Sequence, residues 1–147
     1  MQLEEGWFNE KLARRCLDAL KRNNIAGYYA PNRSKALTQI LEMIPPKASI
    51  GIGDSVTLLQ VGVITVVGIN KIVANLEEAM ERIKKVAAPI NAYRHHIKHD
   101  REVPPCAITG VCVDCRHPRR ICNYTLVVEY QTRPRIEVII VGEELGI

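Results

Sequence analysis

Residues 48–68 read ASIGIGDSVTLLQVGVITVVG, and this stretch decides the fold of the 147-residue chain. An apolar strand is predicted at residues 48–52, where it runs into a glycine-bearing turn and a short helix. A second apolar strand is predicted at residues 64–68, of the kind that is covered on both faces in a parallel sheet. Helices and strands alternate on either side of this stretch. The alternation predicts an α/β fold with a mainly parallel sheet and flanking helices.

The remaining elements follow from hydrophobic periodicity and from helix-capping signals. We expect helices at residues 9–23, 32–44 and 76–89, and strands at residues 25–30, 124–130 and 136–141. Asn75 is predicted to cap the third helix, and Pro89 to kink or end it. The helix faces expected to be buried include Leu37, Leu41, Leu76 and Ile83.

Length and composition are those of an ordinary globular protein. Hydrophobic residues make up 47% and charged residues 24% of the chain, which predicts one domain over residues 1–147. The N-terminus lacks a basic start and an apolar run, and no apolar stretch is long enough to cross a bilayer. We therefore expect a cytoplasmic protein with no membrane partner, in a compartment where structural disulfides are rare.

Four cysteines are crowded into the run PPCAITGVCVDCRHPRRICN at residues 104–123. Cys106, Cys112, Cys115 and Cys122 have the spacing C-x5-C-x2-C-x6-C. Thiolates that converge on one point form a soft-metal site, so this cysteine-rich loop at residues 104–122 predicts an Fe–S cluster or a zinc ion. The alternative is that the thiols are free, or are paired as disulfides. The fifth cysteine, Cys16, shares a helix face with leucines and is expected to be a core thiol.

The glycine-bearing turn after the first predicted strand is a candidate anion site. Amides at a helix N-terminus favour an anion, and hydroxyl groups add donors. Ligands of parallel sheets bind beyond the C-terminal ends of the strands, where the loop after residues 64–68 also falls. The alternative is a tight turn with a helix cap. The candidate residues are Gly51, Gly53, Asp54, Ser55, Thr57, Asn70 and Lys71.

Two further motifs carry weaker signals. The basic residues around Arg116 and Arg120 are expected to balance the charge of a metal–thiolate site, and nucleic acid is not an expected partner because aromatic stacking residues are sparse. His95 and His99 share a helix face, but a third zinc ligand is missing, so exposed histidines at a fraying helix end are expected. No nucleophile arrangement is visible, and catalytic residues stay unknown.

Four segments together resemble the LUD-domain family, named for lactate utilisation. They are GIGDSVTLLQVG, VVGINKIVANLEEAMERIKKVAAPINAYR, PCAITGVCVDCRHPRRICN and IEVIIVGEELG, and they occur in family order. The resemblance implies a Rossmann-like α/β fold related to the ribose-phosphate isomerase and CoA-transferase superfamily. It also implies a link to lactate oxidation by iron-sulfur proteins, and hence an iron-sulfur oxidoreductase as a partner.

This chain departs from the family in its middle, which is shortened. Between residues 62 and 66 the family carries two further strands, so we expect the exposed sheet edge to be covered either by a homo-oligomer or by a segment that this sequence lacks. The leading function is an accessory protein of lactate or 2-hydroxy-acid oxidation with a four-cysteine metal or Fe–S site. One alternative is an enzyme that binds an anionic small molecule at the GIGDS loop. Another is a metal-stapled interaction or nucleic-acid-binding module.

Overall fold

The structure, a computed structural model, describes residues 2–48, 63–98, 103–116, 120–123 and 125–145. Its contacts divide into two units, Met1–Ile72 with Val128–Gly146, and Val73–Val127. The single domain expected over residues 1–147 stays a prediction. The strand expected at residues 48–52 falls almost entirely outside the described residues, as does the short helix after it.

The described residues of the first unit form a three-stranded parallel sheet. Its strands are β1 (Ala26–Ala30), β2 (Val63–Gly68) and β3 (Ile136–Val141), in the order β1-β3-β2. The 3-10 turn η1 (Ile69–Lys71) follows β2. The central strand pairs in parallel with both neighbours, so that Ile139 lies opposite Tyr28 on one side and Val66 on the other. The parallel sheet predicted from the alternation of elements is therefore confirmed.

Two helices of the first unit, α1 (Gln2–Arg22) and α2 (Arg33–Met43), pack against opposite faces of this sheet. Side chains alternate between the faces along a strand. Ile139 accordingly clusters with Ala36 of α2, whereas Ile140 clusters with Ala13 of α1. Both isoleucines are fully buried. The α/β class is thus confirmed, and the relation to the isomerase and CoA-transferase superfamily stays a prediction.

The start of α1 differs from the sequence expectation, whereas the start of α2 does not. Of the two candidate caps in the sequence, Asn32 and Ser34, it is Asn32 that caps α2, because its side chain accepts a hydrogen bond of 3.0 Å from the Lys35 amide. In contrast, α1 begins at Gln2, well before the expected residue 9. The reason is that leucine, glutamine and glutamate in its first turns are good helix formers that need no buried face. Trp7 and Phe8 in these turns are 63% exposed.

The edge strand β2 is less covered than its apolar sequence predicts. Ile64 and Val66 are 37% and 38% exposed, and Leu37 and Leu41 of α2 are also exposed. Among the described residues, β2 pairs with β3 alone, so it has a neighbouring strand on one side. The expectation that both faces of β2 are covered, and that Leu37 and Leu41 are buried, is wrong within this part of the chain. The predicted oligomer stays a prediction.

The second unit is organised by one long helix, α3 (Leu76–Lys98), followed by the short helix α4 (Pro105–Thr109) and the 3-10 turn η2 (Ile121–Asn123). The predicted cap is confirmed, since the Asn75 side chain accepts a hydrogen bond of 2.9 Å from the Glu78 amide. Pro89 lies inside the helix, so the helix does not end there, and the alternative expectation, a kink at Pro89, stays a prediction. A proline removes one backbone donor, and a helix of 23 residues tolerates that loss.

Two other expectations fail for lack of a packing partner. Residues 125–130 are described without regular structure and are exposed, although a strand was expected at 124–130. A strand needs a ladder of hydrogen bonds, and β propensity alone does not provide one. Leu76 and Ile83 of α3 were expected to face inward but are 56% and 43% exposed. No helix in the described part of the chain is both long and apolar enough to cross a membrane.

Candidate metal centre

The four clustered cysteines line a single cavity of the second unit. Cys106 belongs to α4, Cys122 belongs to η2, and Cys112 and Cys115 lie in the loop between these elements. All four are free thiols. The cavity holds about 20 Å³ of space, enough for roughly one water-sized body. The structure therefore places all four cysteines around one cavity, and their convergence on a single metal stays a prediction.

Tight turns direct these cysteines toward the cavity. Pro104 caps α4, and Gly110 ends it with a φ of 73°, the left-handed conformation that glycine adopts most readily. Asp114 and Arg116, on either side of Cys115, also have positive φ values of 50° and 51°. Non-glycine residues adopt this conformation at a cost, and the surrounding structure must hold them in it. The Asp114 carboxylate helps, because it pairs with the Arg116 guanidinium at 2.9 Å and 3.2 Å.

The four thiols form two pairs that differ in exposure. Cys106 and Cys122 are half-buried, whereas Cys112 and Cys115 are exposed. Burial raises the pKa of the Cys106 thiol, and repulsion from the other three thiolates raises that pKa further. Cys106 is therefore held protonated when no metal is bound, and a bound metal must displace its proton. We call Cys106 and Cys122 the inner pair, and Cys112 and Cys115 the outer pair.

The wall of the cavity contributed by α3 combines small and polar residues. Ala88 and Asn91 line the cavity and are 7% and 5% exposed. The Asn91 side-chain amide donates a hydrogen bond of 3.4 Å to the Cys122 sulfur. Sequence analysis missed Asn91, because its partner lies 31 positions away and no local pattern marks it.

The arginines of the loop have different environments. Arg120 lines the cavity and is only 7% exposed, while Arg116 is exposed and paired with Asp114. A buried guanidinium that lines the same cavity as the four cysteines suits charge balance. That nucleic acid is not a partner stays a prediction.

The thiols that line the cavity are suitable ligands for a soft metal, but they are not yet close enough together to bind one. Four cysteines and a single carboxylate, that of Asp114, are among the described side chains that line the cavity. Within the described residues, no three His, Cys, Asp or Glu side chains are already placed to hold one metal ion. Binding therefore requires the thiols to move closer together. The four cysteines as metal ligands stay a prediction.

His95 is not among the described residues that line this cavity. His95 was expected to be exposed, but it is half-buried and its Nδ1 atom is buried without a hydrogen-bond partner among the described residues. The reason is that α3 continues beyond Pro89 as regular helix to Lys98, so His95 is not at a fraying end. His99 lies outside the described residues.

The candidate anion site is described only in part. Gly51, Gly53, Asp54, Ser55 and Thr57 lie outside the described residues. Asn70 and Lys71 belong to a 3-10 turn, Ile69–Lys71, directly after β2. The Asn70 side chain accepts a hydrogen bond of 3.0 Å from the Leu145 amide and donates one of 3.4 Å to its carbonyl. Asn70 thus joins two chain segments beyond the C-terminal strand ends, and anion binding stays a prediction.

A parallel α/β sheet and a cavity lined by four cysteines define the class of this protein as an α/β protein with a cysteine-rich candidate site. The sequence model of the LUD domain matches residues 56–141, which is more than half of the chain and includes all four clustered cysteines. The chain belongs to the LUD-domain family. Comparisons with curated proteins and with solved structures find no match. Membership is consistent with a protein of the lactate-utilisation type.

Proposed function

We propose that this LUD-domain protein is an accessory protein of lactate or related 2-hydroxy-acid oxidation, and that Cys106, Cys112, Cys115 and Cys122 hold a metal ion or an Fe–S cluster. The observation that carries the proposal is that all four sulfur-bearing residues line one cavity. Family membership supports the metabolic context.

The composition of the cavity supports a metal over a chance grouping of thiols. Thiolates are the ligands that zinc, Cu(I) and Fe–S clusters prefer. Four thiolates around a divalent ion carry a net charge of about −2, which nearby cations and N–H groups stabilise. Buried Arg120 and the Asn91 amide supply one group of each kind. A cavity that served only packing would have little reason to bury a guanidinium.

Four thiolates are the ligands of structural zinc ions and of Fe–S clusters alike. The redox context of the family favours iron and sulfide. The spectrum of the protein separates the two forms, since Fe–S clusters are coloured and zinc is not.

Anaerobic purification followed by metal analysis and a visible spectrum tests the proposal. We expect about one zinc per chain with no visible absorbance, or iron with a brown colour and a matching amount of acid-labile sulfide. Cys115→Ser should lose most of the metal. Cys16→Ser, a cysteine of the other unit that packs against the sheet, is the matched control and should retain it. Protein that is folded and reduced but metal-free, and takes up neither zinc nor iron with sulfide, would contradict the proposal.

A further inference from the structure

Asn91 is placed to act on the candidate metal centre without being a ligand. It lies in α3, is 5% exposed, and lines the same cavity as the four cysteines. Its side-chain nitrogen is 3.4 Å from the Cys122 sulfur and donates a hydrogen bond to it. Ala87 and Ala88, the buried residues one turn earlier, have side chains too small to keep the cysteine-bearing elements away from the helix.

The strength of this hydrogen bond depends on the state of the sulfur. A neutral thiol is a weak acceptor, whereas a thiolate carries a full charge and accepts a much stronger bond. An amide donor fixed in a buried site therefore stabilises the thiolate more than the thiol. Since a metal binds the thiolate, the contact adds more free energy to the metal-bound protein than to the metal-free one.

The other charged groups of the cavity act in the same direction. Asp114 is the carboxylate that lines it, and its charge is taken up by Arg116. Arg120 adds a buried positive charge. The polar groups around the thiols are thus an amide donor and a guanidinium, both of which favour negative charge on sulfur.

We propose that Asn91 is a positioning residue of the four-cysteine site, which orients the Cys122 sulfur and stabilises its thiolate when a metal is bound. This inference rests on the proposed function. It assigns a role to the helix before the cysteine loop, where no cysteine or histidine marks a metal site. It also distinguishes Cys122 from Cys106, the other member of the inner pair, because the Asn91 amide donates a hydrogen bond to the Cys122 sulfur.

Cobalt(II) is a suitable probe, because its thiolate complexes absorb visible and near-ultraviolet light. Asn91→Leu removes the donor at similar volume, and Asn91→Asp keeps the shape but replaces the donor with a carboxylate. Both should weaken cobalt and zinc binding by about 10–100-fold, the range found when partners of metal ligands are removed. The sulfur-to-cobalt charge-transfer band should move to longer wavelength in Asn91→Leu, since loss of the N–H donor raises the energy of the sulfur electrons. Tyr93→Leu, at an exposed position of the same helix, is the control and should match the wild type.

A double-mutant cycle tests whether Asn91 affects metal affinity through the Cys122 sulfur. If Asn91 acts through Cys122, Asn91→Asp should cost little further affinity in a Cys122→Ser background, while it should keep its full effect in a Cys106→Ser background. Equal affinity and an unmoved band in both Asn91 variants would overturn the inference while leaving the metal site intact. A wild type that binds neither cobalt nor zinc would instead contradict the proposed function. Should Asn91→Leu fail to fold, as judged by circular dichroism, Asn91→Asp and the cycle still decide the question.

Discussion

The two units of this protein bury different kinds of side chain. In the first unit the central strand β3 is fully buried at Ile139, Ile140 and Val141, and clusters of apolar residues lie on both faces of the sheet. In the described part of the second unit the buried residues are small or polar, namely Ala87, Ala88, Asn91, Pro104 and Arg120.

The apolar side chains of the cysteine loop make the contrast sharper. Val103, Ile108, Val111 and Val113 are 48% to 74% exposed. Burial of apolar surface is the main source of folding free energy, and it accounts for the first unit. In the second unit, the described residues offer little of it around the cysteines. A bound metal is the interaction that would replace it, as in small domains whose folding depends on a metal.

The largest expected effect falls on the core of the first unit. Ile139→Ala removes a fully buried side chain between β1 and β2, and should lower the free energy of unfolding by about 2–5 kcal/mol. Val66→Ala, at a position 38% exposed on β2, is the control and should cost less than about 1 kcal/mol. Denaturant unfolding followed by circular dichroism measures both. Similar losses in the two variants would mean that burial does not hold this unit together.

A glycine at the end of β2 provides the next test. A methyl group on Gly68 would lie 2.5 Å from Asn70 Oδ1 and 2.8 Å from the Glu143 carbonyl oxygen, and a backbone atom cannot easily move away. Gly68→Ala should therefore cost about 1–3 kcal/mol through overpacking. Gly6→Ala in α1 meets open space and should stabilise the protein slightly. Thermal unfolding of the two variants should shift in opposite directions, and a neutral Gly68→Ala would refute the crowding.

Two equivalent helix caps, one in each unit, allow a direct comparison of the two units. Asn32 accepts from the Lys35 amide at 3.0 Å, and Asn75 accepts from the Glu78 amide at 2.9 Å. Replacing either by Ala should cost about 1 kcal/mol. If the second unit folds together with its metal, Asn75→Ala should also weaken zinc affinity about fivefold, whereas Asn32→Ala should leave it unchanged. Zinc affinity is measured by competition with a chelator. Equal zinc affinities of Asn75→Ala and Asn32→Ala would mean that metal binding does not depend on the folding of α3.

The smallest expected effect is a pH dependence in the core of the first unit. Burial raises the pKa of the Cys16 thiol, so the folded state favours the neutral form. Its contribution is complete below the ordinary thiol pKa of about 8.5 and is lost as pH rises through the higher folded value. Between about pH 7 and about pH 10 the wild type should lose more stability than Cys16→Ala. A steeper loss in Cys16→Ala would reverse the sign and contradict the burial of this thiol.

The predictability of each feature of the fold depended on whether it is set locally or needs a distant partner. Periodicity located all three strands of the sheet, because β1, β2 and β3 are apolar runs bounded by turns, and it located the cap at Asn75, whose partner is three residues away. It failed where the outcome depends on a distant partner. Residues 125–130 have strand composition but no ladder in the described part of the chain. The burial of Leu37 and Leu41 failed for the same reason, since a helix face is buried only where another element covers it.

The grouping of the four cysteines around one cavity was predictable from the sequence, whereas the other side chains around that cavity were not. Four cysteines in a short loop predict convergence from spacing alone, and the structure places them around one cavity. The Asn91 contact was not predictable, because it joins residues 31 positions apart across two elements. The unequal exposure of the inner and outer pairs also depends on how α4 and η2 pack against α3.

Hydrogen–deuterium exchange on anaerobically purified protein, before and after removal of metal by a chelator, tests most directly whether a metal holds the second unit together. We predict that metal removal abolishes protection at residues 103–123 and leaves β1 and β3 protected, and that zinc, or iron with sulfide, restores it. Cys115→Ser should resemble the metal-free protein without treatment. Protection at residues 103–123 that is the same with and without metal would contradict the account.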